Sequence, residues 1–284
     1  MTADPWARWV LRPDNELESM HPVRDRLLAN ADVGEGDTLL DVGTGSGLIA
    51  FRALELVGPT GRVVFCDISD ELIDHCRRLA AVSDLTDRSQ FIVAPADNLR
   101  PLSDGSLDVV TTRSVLIYVK DKAGAFSEFF RVLRPGGRLS IFEPINRFGY
   151  PWPPERFFGY DVAPVADLAI KVMSVYHRLQ PPDDPMLDFD SLDLLRHAEH
   201  AGFADIHLTL EVVVDSRPWT GGLAWNAFLG LSGNPRLPPV GEVLDEALTP
   251  AEKKRFADHL RPLVKEGKGE NRLALAYLWG VKAP

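Results

Sequence analysis

Cysteine is scarce in this chain: Cys66 and Cys76 are the only two among 284 residues. Two thiols supply neither the disulfide framework of a small secreted domain nor the ligand spacing of a zinc or iron–sulfur site. Positive charge is also in deficit, with 31 Lys and Arg against 41 Asp and Glu and a formal charge of -10. That balance counts against DNA or RNA as a partner, because phosphate binding needs a concentrated basic face. No apolar run approaches the roughly 18 residues of a membrane span. Met1–Pro5 lacks the basic and apolar regions that open a secretion signal. These absences predict a cytoplasmic protein with reduced, structural thiols, no metal, no nucleic acid and no membrane among its partners.

What is present is a 45% apolar chain, long enough for one large α/β domain with insertions. Its most informative stretch is Leu39-Leu40-Asp41-Val42-Gly43-Thr44-Gly45-Ser46-Gly47-Leu48. A buried strand ends in an acid, and three glycines follow at every second position before an apolar helix start. Glycines in such a turn let a ligand approach the backbone where a Cβ would block it. A dinucleotide fingerprint, G-x-G-x-x-G, would place its third glycine at position 48, where this chain has Leu48.

The segment Gly61 to Ser69 reads as a second buried strand ending in Asp67, 20 residues after Gly47. An acid there can accept hydrogen bonds from both hydroxyls of a ribose. The competing role, capping the next helix, is better filled by Ser69, with Glu71 in the first turn. A third strand runs from Phe91 into Ala94-Pro95-Ala96-Asp97-Asn98, and a fourth leads from Leu107 through Thr112-Arg113-Ser114 to Tyr118. Phe126, Phe129, Phe130 and Leu133 then share one helical stripe and read as core. Leu133 to Gly137 breaks that helix before a fifth strand, Arg138 to Ile145.

The pattern Asp-x-Gly-x-Gly-x-Gly, followed by Asp67 and the breaker at Leu133 to Gly137, resembles the class I S-adenosylmethionine-dependent methyltransferases. The resemblance covers residues 37–145, about 190–216, and 272–282. It implies a doubly wound, seven-stranded Rossmann-like sheet with an insertion-built helical cap. Its last strand, Leu273 to Val281, would insert antiparallel between the fifth strand and the sixth, which runs through Ile206 to Val214. S-adenosylmethionine is the implied cofactor and S-adenosylhomocysteine the product. Asp41, Gly43, Thr44, Gly45 and Gly47 would position its methionine part, Asp67 and Ile68 the ribose, and Ala96, Asp97 and Asn98 the adenine. Arg113 and Ser114 would stand near the carboxylate or the acceptor. The family usually has Gly-Asp-Ala where this chain has Ala94-Pro95-Ala96, so Asp97 would supply the adenine's carboxylate one or two positions late. The two cysteines count against an arsenite-methylating member, which uses several to hold its substrate.

The implied organisation is an N-terminal helical lid (1–36), the cofactor-binding core (37–145), a cap insertion (146–189), more core (190–216), a second cap insertion (217–271) and the last strand (272–284). The insertions are rich in aromatic residues, which favours a largely apolar small organic acceptor of the natural-product type over an ionic one. Trp152, Tyr160, Tyr176 and Trp225 are the expected acceptor contacts. O-methylation is the leading reading, with C- and N-methylation open, and His177, Tyr118 and Glu143 are the candidate bases. Self-association as a homodimer also stays open. Two rivals remain. A nicotinamide-dependent oxidoreductase is disfavoured by Leu48 and by the lack of a Tyr-x-x-x-Lys pair after the fourth strand. A cofactor-binding protein of the same fold with a non-transfer reaction would carry the same motifs.

Overall fold

A computed structural model describes residues 4–12 and 17–283. Its helices in chain order are α1 (Pro5–Val10), α2 (His21–Asn30), α3 (Leu48–Leu56), α4 (Asp70–Val82), α5 (Lys122–Val132), α6 (Ala166–Leu179), α7 (Ser191–Ala201), α8 (Trp225–Gly230), α9 (Val240–Ala247) and α10 (Pro250–Glu266). The strands are β1 (Thr38–Val42), β2 (Arg62–Asp67), β3 (Ser89–Val93), β4 (Leu107–Arg113), β5 (Leu133–Pro144), β6 (Arg156–Phe157), β7 (Tyr160–Asp161), β8 (Phe203–Asp215) and β9 (Asn271–Lys282). The chain divides into two compact units. One comprises Met1–Pro144, Phe189–Leu210 and Leu275–Pro284, the other Ile145–Asp188 and Glu211–Ala274.

The first unit is built on a seven-stranded sheet of order β3-β2-β1-β4-β5-β9-β8. Strands β1 to β5 pair in parallel. Their near-continuous apolar runs suit a sheet covered on both faces. β9 runs antiparallel to β5, from Arg138 opposite Val281 to Pro144 opposite Leu275, as the resemblance implies. The order reverses beside β1, which puts the switch point, and with it the ligand crevice of such sheets, at the carboxyl ends of β1 and β4.

Local chemistry fixes the helix ends around that crevice. Ser69 caps α4, its hydroxyl accepting from the Leu72 N–H at 3.2 Å, so the cap falls on the residue the sequence points to. Asp121 caps α5 through the Gly124 N–H at 2.8 Å. The fifth strand begins earlier than the breaker suggests. Leu133 already pairs with Leu107, and the next paired residue is Arg138 opposite Val109. Residues 134–137 therefore form a bulge inside the strand rather than a loop before it. The core beneath the glycine turn gathers Leu27, Leu39, Ile49, Val63, Phe65 and Phe142.

The second unit surrounds its own core. The β6–β7 hairpin and helices α6, α8, α9 and α10 bury Phe157, Tyr160, Tyr176, Phe228 and Phe256 together. Helix α10 opens with the expected capping box, in which Thr249 and Glu252 bond reciprocally, and Pro250 occupies its first turn. Among the described residues no helix is long and apolar enough to cross a membrane.

Candidate active site

Asp41 ends β1 almost fully buried, and both its oxygens are engaged. One accepts from the Thr44 hydroxyl at 2.9 Å, the other from the Thr111 hydroxyl at 3.0 Å. Burial pushes its pKa up to about 7, although those two hydrogen bonds and the nearby Arg113 favour the charge. Asp41 thus acts on the cofactor turn from behind, holding Thr44 to β4, and does not present its carboxylate to a ligand.

The glycines of the turn divide by function. Gly43 has φ +67, and a Cβ there would lie 2.1 Å from a Val115 methyl, so Gly43 serves the close approach of the β4 loop. Gly45, with φ +57, has as its nearest neighbour a methyl of Val10 at 3.5 Å from the Cβ position. Its amide N–H donates to Asp67 Oδ2 at 2.9 Å. The second oxygen of Asp67 accepts from the Ser69 N–H at 3.1 Å. The expectation that Asp67 would stand free once Ser69 took the cap is therefore corrected. It braces the turn, yet each carboxylate oxygen has a second lone pair left for a ribose hydroxyl. Burial raises the pKa of Asp67, against the backbone N–H bonds it receives. Ile68 beside it is 50% exposed, an apolar surface next to that carboxylate.

At the end of β4 the backbone turns sharply through Ser114, a non-glycine residue at φ +56 whose N–H donates to the Phe142 carbonyl at 2.9 Å. A left-handed serine is strained and marks a functional loop. Glu143 organises that loop. Fully buried on β5, it accepts from the N–H groups of Val115 and Leu116 at 2.9 Å each and of Ile117 at 3.3 Å. Burial lifts its pKa to about 7, with those bonds opposing. The reading of Glu143 as a base is corrected accordingly. Both of its oxygens accept from backbone N–H groups in a fully buried position, and it positions the loop.

Arg113 lies in the field of Asp41, Glu143 and Tyr118, and burial pulls its pKa down. No hydrogen bond to its guanidinium is seen among the described residues, while the neighbouring carboxylates spend their oxygens on Thr44, Thr111 and the loop. A fork of unpaired donors at the crevice suits a carboxylate. Tyr118 is half-buried and meets Trp6 edge to face at 4.7 Å. That contact, the Val10 methyl over Gly45, and the Ser69 hydroxyl donating to the Asp4 carboxylate lay α1 across the turn. Ala94 and Ala96 are buried, and Asp97 and Asn98 are exposed at the end of β3.

The geometry thus gathers the glycine turn, Asp67, Ile68, Arg113 and Ser114 at one end of the sheet. They fit S-adenosylmethionine: a carboxylate for the ribose, an apolar neighbour for its base, and unpaired donors for the methionine carboxylate. Residues 40–141 match the methyltransferase domain family. The match takes in the glycine turn, Asp67 and the loop after β4, so in this stretch the chain is similar to methyltransferases. An arsenite methyltransferase of Halobacterium salinarum is 34% identical to it over 123 residues, 43% of this chain and 31% of that protein. The ubiquinone/menaquinone biosynthesis C-methyltransferase UbiE of Pseudomonas putida is 35% identical over 145 residues, 50% of this chain and 56% of that one. The chain spans between about a third and just over half the length of these relatives. A crystal structure of an S-adenosylmethionine-dependent methyltransferase from Aquifex aeolicus shares the fold, with a TM-score of 0.50 and 20% identity over 74% of this chain and 92% of that one.

The remaining candidate residues lie in the second unit. Tyr160 is fully buried and shares a 2.8 Å hydrogen bond with Thr220, and Tyr176 is 1% exposed in the same core. Both pack the unit's interior, which corrects their reading as acceptor contacts. Trp152 and Trp225 are half-buried, Trp225 stacking on Phe228 at 5.4 Å. His177 is exposed on α6, its ring 6.1 Å from that of Tyr150. Thr111 went unread in the sequence. Its signal was a hydroxyl directly after the apolar pair Val109-Val110 in a buried strand, where a polar group needs a partner.

Proposed function

We propose that this protein transfers a methyl group from S-adenosylmethionine to a largely apolar small organic acceptor, an oxygen acceptor in the leading case. The observation that carries the reading is the unpaired Arg113 guanidinium near Asp41, at the end of β1 whose glycine turn Asp67 braces. The cofactor, when bound, supplies an electrophilic sulfonium methyl, so the protein's task is to hold two reactants in line and dry. Arg113 would pair with the methionine carboxylate, Asp67 would accept from the ribose hydroxyls, and Asp97 would accept from the adenine amine. Glu143 fixes the Val115–Ile117 backbone, and with it the position of Tyr118, the candidate in the first unit for taking a proton from an acceptor hydroxyl.

The half-buried Trp152 and Trp225 of the second unit are the aromatic surfaces assigned to the acceptor, with His177 as the alternative base. Arsenite, the substrate in the name of the Halobacterium relative, is disfavoured because Cys66 and Cys76 are both buried, with thiol pKa values raised by burial. Incubation with isotopically labelled cofactor and a panel of aromatic, terpenoid and polyketide acceptors tests the proposal, read by mass spectrometry of the products. Cofactor binding without labelled product or S-adenosylhomocysteine from any of them would favour the non-transfer alternative.

A further inference from the structure

The second unit contains a phenol that its own fold leaves without a partner. The hydroxyl oxygen of Tyr150 is shut off from solvent and makes no hydrogen bond. Burial, with the Asp184 carboxylate nearby, pushes its pKa up to about 12, so it is a neutral donor. A buried hydroxyl left unpaired costs a folded protein stability, and its retention calls for a reason. The other described hydroxyls in this condition, on Thr112 and Ser140, belong to strands inside the sheet. Tyr150 instead stands among rings. Trp152 meets it at 5.2 Å and 84°, His177 at 6.1 Å and 74°. Trp152 in turn rests on Phe158 at 4.8 Å and on Tyr176 at 5.4 Å, so this wall of the cluster is fixed. The His177 side is not fixed, because that residue is exposed on α6.

Resting on the methyltransferase reading, we propose that Tyr150, Trp152 and His177 form the acceptor-recognition site, and that it takes an uncharged aromatic molecule carrying one hydrogen-bonding oxygen, a phenol or a ketone. Rings set edge to face beside that hydroxyl suit a flat π surface, and the Tyr150 hydroxyl supplies the single directional contact. The neighbouring Asp184 carboxylate selects against anions.

The test is calorimetric titration of the full chain, with S-adenosylhomocysteine present, using 1-naphthol and naphthalene as probes. The parent should bind 1-naphthol about tenfold more tightly, the worth of one hydrogen bond. Tyr150→Phe should erase that preference and keep the naphthalene affinity, while its Tm stays level or rises because an unpaired hydroxyl has gone. Equal affinities in the parent, a preference that survives in Tyr150→Phe, or no binding of either probe would overturn the proposal. Binding of S-adenosylhomocysteine is measured separately on the same samples. Its loss would strike the methyltransferase reading, while the comparison of the two probes would still decide this one.

Discussion

Asp41 and Glu143 are carboxyls whose folded-state pKa values stand near 7, well above those of the unfolded chain. Between about pH 4 and pH 7 the native state therefore holds more protons than the unfolded one, and stability falls as pH rises through that window. Asp41→Asn keeps an oxygen for Thr44 or Thr111 and removes one of the two titrations. Denaturant unfolding at a series of pH values should show a shallower slope for the variant than for the parent. Identical slopes would mean that Asp41 is charged throughout. Asp67→Ala should weaken S-adenosylhomocysteine binding by about 1.5 to 3 kcal/mol, the range for a hydrogen bond to a charged group. It should also lower Tm, because the Gly45 N–H loses its acceptor. Calorimetry and thermal melts on the same sample check both, and affinity retained despite a lower Tm would confine Asp67 to bracing. The sequence disclosed Asp67 and the turn because strand, glycines and acid follow one another within a short stretch. It concealed the role of Glu143, whose partners Val115 to Ile117 come from a loop far earlier in the chain and are backbone groups that any side chains would offer.

At the scale of elements, one side chain on β5 holds three N–H groups of the loop after β4. Glu143→Ala would leave these donors buried without an acceptor, at about 1 to 3 kcal/mol each if no water enters. Glu143→Gln retains one accepting oxygen and should fall between. Turnover and unfolding midpoint should therefore decline together from parent to Gln to Ala. A Gln variant as stable as the parent but inactive would restore Glu143 to the chemistry. The strands and most helices could be read from apolar runs and caps, as at Ser69 and Thr249. The bulge at residues 134–137 could not, because Pro135, Gly136 and Gly137 signal a break and only pairing with β4 shows that the strand resumes across it.

At the scale of the molecule, cofactor and acceptor recognition are assigned to different compact units, so their mutational effects should separate. Trp225→Leu should raise the acceptor KM several-fold while S-adenosylhomocysteine affinity stays within about twofold of the parent. Arg113→Met should do the reverse. Steady-state kinetics beside calorimetry distinguishes them, and a Trp225 variant that loses both functions would point to failed folding. This division was only partly legible: the two aromatic insertions announce a second core, but composition does not say which rings fill it, and Tyr160 and Tyr176 turned out to be filling.

The position of β9 has a consequence for biosynthesis. It comes last of the described strands in chain order, yet it lies between β5 and β8. While the ribosome is still making the chain, β5 has one edge open and β8 has no neighbour on that side, so the nascent sheet offers unsatisfied backbone to any passing strand. The sheet closes only once β9 has left the exit tunnel, so its exposure to misassembly lasts until residues up to Lys282 are free to pair.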